Sequence, residues 1–126
     1  MIPPFKIENV NPILNVADMK ASLHFYVNLL GYRAADWGMD SFTSVERDNC
    51  SIYLCENGQG AKGVWIWMGF DGDMNALRDY LYQNGVRIIM EPTNFSWAME
   101  MHIEDPDGHV IRLGTEPDSS KPFVNG

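Results

Sequence analysis

The chain has 126 residues, 45% hydrophobic and 21% charged, with nine Lys and Arg against 17 Asp and Glu for a net charge of -8. That balance fits one globular domain with its own core, and it excludes disorder, collagen and coiled coil; no apolar run approaches the ~18 residues that cross a bilayer. The basic residues are scattered from Lys6 to Lys121, so no nucleic-acid partner is expected, whereas the acidic surface weakly attracts cationic small molecules. The N-terminus, Met-Ile-Pro-Pro-Phe-Lys, has no apolar run of signal-peptide length, which makes a cytoplasmic location the expectation. Cys50 and Cys55 stand five apart in one predicted strand, too far to bridge, and are read as reduced thiols.

In chain order, Glu8 to Val16 alternates with Val10, Leu14 and Val16 on one side and reads as a strand, with Pro12 marking an edge or a bulge. Asp18 suits an N-cap; Met19, Leu23, Tyr26 and Leu30 recur at helical spacing, and Gly31 ends that helix. Tyr32 to Met39, Ser41 to Arg47 and Cys50 to Cys55 read as three strands, the last two joined by an Asp48-Asn49 turn. After a Gly-rich linker the order recurs. Gly63 to Phe70 is a strand, Asp73 caps a helix that Gly85 stops, Val86 to Met90 is a strand, and Glu91 to Asn94 is a loop. Trp97 to Glu104 and His109 to Gly114 form a hairpin across Asp105-Pro106-Asp107-Gly108, whose residue types suit a type I turn. A polar tail follows, with Phe123 as its candidate anchor.

The chain therefore repeats itself. Asp18-Met19 leading to Gly31-Tyr32-Arg33 matches Asp73-Met74 leading to Gly85-Val86-Arg87, and Asp48 to Leu54 aligns with Asp107 to Leu113. The expected fold class is α+β, two βαβββ repeats forming a half-barrel trough. The expected domain organisation is one domain over 1–126: a half over 7–56, a linker over 57–62, a half over 63–115 and a tail over 116–126. Each sheet would pack one face on its helix, and the two free faces, side by side, would curl into one trough, the natural site.

With Val16-Ala17-Asp18-Met19, Phe25-Tyr26, Leu30-Gly31-Tyr32, Trp97 and Asp105 to Gly114 in this order, the chain resembles the vicinal oxygen chelate superfamily: glyoxalase I, extradiol dioxygenases, and fosfomycin and bleomycin resistance proteins. The resemblance covers roughly residues 8 to 116 and is closest to the bleomycin-resistance branch. It implies either a divalent-metal enzyme or a binding protein, because this fold hosts several chemistries. The metal ligands that the resemblance implies would fall at Asn11, Tyr53, Trp65 and Arg112, none of which is a His or a carboxylate. No metal and no cofactor are expected.

Strand parity lines the trough instead with Asn11, Phe42, Tyr53, Trp65, Trp67, Trp97, Met99, Met101 and Arg112, with Trp37 at the rim. In this register Glu104 pairs with His109 and Met101 with Arg112, and His102 turns to the helix side as a structural histidine. The aromatic residues either stack on a ligand or fill the trough as core. Arg112 needs a partner, either a ligand anion or a carboxylate such as Glu116. No nucleophile constellation or phosphate loop is present. The resulting expectation is a metal-free binding protein for an aromatic or cationic small molecule, of bleomycin-resistance type, working as a homodimer. The alternative is a lyase or dioxygenase of the same superfamily with a displaced metal site.

Overall fold

Both helices start on an aspartate. Asp18 accepts from the Lys20 amide at 3.0 Å, and Asp73 accepts from the amides of Asn75 and Ala76 at 3.0 and 3.1 Å, which satisfies donors that a helix start leaves bare. The computed structural model describes residues 1–124. Its elements are β1 (Ile13–Val16), α1 (Met19–Leu23), β2 (Arg33–Ala34), β3 (Phe42–Arg47) and β4 (Cys50–Glu56), then β5 (Trp65–Gly69), α2 (Met74–Gln83), β6 (Arg87–Asn94), β7 (Met99–Glu104) and β8 (Val110–Thr115). They form two mixed sheets of the same design, ordered β1-β4-β3-β2 and β5-β8-β7-β6, in which β1–β4 and β5–β8 are the parallel pairs.

Several boundaries differ from the sequence expectation. β1 begins only after Pro12, which has no N–H to give to a ladder. Residues 1–12 are in no regular structure, and Val10, expected to face inward, is 86% exposed. The first helix runs at Leu23 into a π-helical stretch, His24–Leu29, and closes with the Leu30 amide on the Phe25 carbonyl. β2 is only two residues long, because the chain turns at Asp36 and Trp37. β6 continues through the expected loop to Asn94. It is an edge strand with register shifts, which is where a sheet tolerates Pro92. The tail is held by Asn94 rather than by Phe123. The Asn94 side chain accepts from the Asp118 amide and donates to the Asp118 carbonyl, and its backbone carbonyl accepts from the Val124 amide. Residues 125 and 126 of the tail lie outside the described residues.

The last hairpin is the consequential difference. The type I turn is present, with the Gly108 amide on the Asp105 carbonyl, but Gly108 then takes φ +78° and the Asp105 amide reaches the His109 carbonyl. This is a three-residue loop with a bulge, and it inserts one residue. Glu104 faces Val110 and His102 faces Arg112, so every side chain of β7 changes sides relative to the expected register.

The two halves share one core. Leu14, Val16, Val45, Ile52 and Leu54 of the first sheet share one core cluster with Met101, Ile103, Ile111 and Leu113 of the second, with Met19, Phe25 and Tyr26 of the first helical segment and Leu81 of α2. Tyr26 donates to Asp105 at 2.7 Å, Tyr80 donates to the Leu29 carbonyl at 2.6 Å, and the Ser22 hydroxyl reaches Asp107. His109 is fully buried at the same junction; it accepts from the Val64 amide through Nδ1 and donates to the Asn15 carbonyl through Nε2. One core cluster thus spans both four-stranded sheets, as the expected pair of βαβββ repeats requires.

Candidate functional site

On the outer face of the second sheet, β5 sends out Trp65 and Trp67 while Ile66 and Met68 pack inward. Trp67 pairs with Arg112 of β8, and Arg112 pairs with His102 of β7. The indole of Trp67 lies across β8, where Gly114 leaves room for it. The backbone of Gly114 is ordinary strand, but a Cβ there would overlap the six-membered ring of Trp67. The Arg112 guanidinium sits 5.3 Å from the centroid of the same ring. Trp97 stands on a bend before β7, stacked on Phe95 at 4.6 Å between centroids. Trp65, Trp67 and Trp97 remain 60%, 53% and 54% exposed. Between Trp67 and Trp97 lies a groove of about 590 Å³ that also takes in Phe70, Gly114, Asp71 and Glu116.

Glu100, which sequence reasoning missed, is the centre of this face. Its side chain is 1% exposed and accepts four hydrogen bonds: from Trp97 Nε1 at 2.6 Å, from His102 Nε2 at 3.0 Å, and from Arg112 Nε and Nη2 at 3.0 and 2.9 Å. Burial pushes the carboxyl pKa up, but the hydrogen bonds from Arg112, His102 and Trp97 outweigh it and bring it down to about 2. An ionised carboxylate only accepts, so His102 carries its proton on Nε2. His102 also meets Trp65 edge to face at 5.6 Å. The carboxylate partner of Arg112 is therefore Glu100 rather than Glu116, and His102 belongs to the outer face rather than the helix side.

The residues expected to line the trough fall in four places. Trp65, Trp67, Trp97 and Arg112 come together as described. Phe42 and Tyr53 lie on the outer face of the first sheet with Trp37, the centroids of the three rings 5.7–6.2 Å apart. Tyr53 faces Ser44 rather than Phe42, a two-residue shift that keeps the face unchanged. Asn11 precedes β1 and donates to the Ser51 carbonyl at 3.1 Å. Met99 and Met101 are not on the outer face. Met101 is fully buried in the core and Met99 packs against it, because the Gly108 bulge reverses the parity of β7.

The four positions where metal ligands would fall do not fit a metal. Tyr53 lies on the first sheet with Asn11 just before its β1, Trp65 and Arg112 lie on the second, and Arg112 brings a positive charge. Glu100, the buried carboxylate of this face, already has both oxygens engaged. Among the described residues no three His, Cys, Asp or Glu side chains gather as a metal site. Nor, among these residues, is any helix long and apolar enough to cross a membrane.

Two βαβββ modules with mixed four-stranded sheets constitute the vicinal oxygen chelate fold, and solved structures share it. An antibiotic binding protein from Streptomyces sp. CB03234, TnmS3, is 24% identical with a TM-score of 0.77, over 91% of this chain and 100% of that one. An integron cassette protein from V. Pseudocholerae is 23% identical with a TM-score of 0.77, over 91% and 99%. A glyoxalase/bleomycin resistance protein/dioxygenase superfamily member from Sphaerobacter thermophilus is 25% identical with a TM-score of 0.72, over 87% and 98%. No curated protein sequence matches the chain significantly. The chain belongs to the Glyoxalase/Bleomycin resistance protein/Dioxygenase superfamily, whose model matches residues 6–113.

Proposed function

We propose that this protein binds a planar, aromatic small molecule without metal chemistry, in the manner of the bleomycin-resistance branch. The observation that carries this reading is the pair of half-exposed indoles, Trp67 and Trp97, that line the groove on the second sheet, with Trp65 half-exposed on the same face. The helix-facing residues already form the core, so these rings are not needed to fill one. Large flat side chains held beside a charged pair offer area and stacking to a flat ligand. The fold shared with an antibiotic binding protein agrees with this reading.

A homodimer is part of the proposal. Trp67 and Trp97 are half exposed, and a second copy related by a twofold axis would supply a further wall to the groove they line. Ile2, Phe5, Ile7 and Val10 of the N-terminal segment are 65–86% exposed, an apolar stretch that a partner would cover. Light scattering at micromolar concentration is expected to give twice the mass of the chain; a monomer would refute the dimer.

The binding reading is tested by screening planar aromatic compounds for tryptophan quenching and a raised melting temperature. A binder at 100 times its Kd stabilises the protein by about 2.7 kcal/mol. Trp67→Ala is expected to weaken it by about 1–3 kcal/mol. If Trp67→Ala leaves the affinity of every stabilising compound unchanged, the groove is not the site.

A further inference from the structure

All three indoles of the second sheet's outer face are tied to one buried carboxylate. Trp97 donates to Glu100 directly. Arg112 donates to it twice while its guanidinium lies over Trp67, and His102 donates to it while meeting Trp65 edge to face. Glu100 also decides the charge that the groove presents. Arg112 spends Nε and Nη2 on it, so its side-on fork is occupied and its charge is balanced by the carboxylate. The groove itself is lined by no basic side chain, whereas Asp71 and Glu116 line it, and neither makes an ion pair among the described residues.

Resting on the reading of this groove as a site for planar molecules, we infer that Glu100 sets its charge selectivity: by holding Arg112 in a neutral pair, it makes the groove choose planar cations over planar anions. Asp71 and Glu116 attract a cationic ring edge, and the indole faces of Trp67 and Trp97 accept it through their negative quadrupole. A planar anion meets the same two carboxylates and finds the guanidinium's charge already balanced by Glu100. Glu100 touches no ligand in this account; it is a positioning residue that acts through Arg112.

The test uses three acridines with one ring system and different charge: 9-aminoacridine as the cation, acridine as the neutral form and acridine-9-carboxylate as the anion. Each is titrated calorimetrically at neutral pH and low ionic strength. The wild type is expected to prefer the cation over the anion by about tenfold, a preference that shrinks with added salt. Glu100→Gln frees the Arg112 fork, so the ratio should fall by about tenfold or more, with the carboxylate gaining affinity in absolute terms. The double variant Glu100→Gln with Arg112→Gln removes both charges and should return the preference to the cation. Asp71→Asn with Glu116→Gln changes exposed side chains that carry little folding risk, and should lower the preference on its own. If Glu100→Gln weakens all three ligands equally, Glu100 is structural support only: the inference is overturned and planar binding stands. Should Glu100→Gln not fold, an unchanged ratio in the Asp71/Glu116 variant overturns the inference, and a lowered one supports it. If no acridine binds the wild type at millimolar concentration, the binding reading falls and takes the inference with it.

Discussion

Replacing Glu100 by Gln should destabilise the protein by an amount that depends on pH in a defined direction. The carboxyl titrates near 2 in the fold against an ordinary value of 4.5. A shift of that size corresponds to about 3 kcal/mol. The Arg112 side chain is 39% exposed, so solvent screens the pair and lowers the expected contribution to about 2–3 kcal/mol. Because the folded pKa lies below the unfolded one, this stability is fully present above about pH 4.5 and is lost as the pH falls toward about 2. Urea unfolding of wild type and Glu100→Gln at neutral pH should therefore differ by about 2–3 kcal/mol, and at about pH 3 the gap should shrink to roughly 1 kcal/mol. A gap that is equal at both pH values would refute the assignment of the stabilisation to the ionised carboxylate.

Two further substitutions probe the site and the junction that supports it. Gly114→Ala should change stability by less than about 1 kcal/mol, because the half-exposed Trp67 can swing away from the new Cβ, yet it should weaken a groove ligand as much as Trp67→Ala does and red-shift tryptophan emission; unchanged binding would show that the indole does not form the wall. Tyr26→Phe removes the buried hydroxyl that donates to Asp105 across the two halves, and should cost about 2 kcal/mol, seen as a drop of about 6–8 °C in melting temperature.

The repeat, the two aspartate caps and the strand–helix order could be read directly because they rest on local chemistry: an N-cap aspartate and a glycine past the last helical turn act within a few residues of themselves. Trp65, Trp67 and Arg112 share one sheet face for a similar reason, since parity along one strand needs no partner. β7 is reversed from expectation because parity carried from its neighbour through the Asp105–Gly108 turn omits the extra residue at Gly108. The strand's own pattern contained the answer: Met99, Met101 and Ile103 alternate with Glu100, His102 and Glu104, and an apolar/polar alternation assigns the core face by itself. Read that way, Glu100 and His102 fall beside Arg112, and the ion pair is visible in the sequence. The mutual placement of the halves was not visible. It depends on Tyr26, Tyr80 and His109 reaching partners 51 to 94 residues away, and no local pattern specifies such contacts.

The same residues explain why the second sheet's outer face suits stacking better than Lewis-acid chemistry. A divalent cation on this face would need several convergent oxygen, nitrogen or sulfur donors. Position 65 offers an indole, which cannot ligate, and position 112 offers a guanidinium, which repels the ion. Glu100 could supply oxygen only by releasing Arg112, His102 and Trp97, which would leave a charged group and two ring N–H donors without their acceptor. That release costs more than an ordinary carboxylate ligand would, because losing a buried charged acceptor strands each of its donors. The interactions that exclude a metal are also those that hold the indoles in place. Around Glu100 and Arg112, one set of hydrogen bonds therefore both occupies the carboxylate and positions the aromatic face.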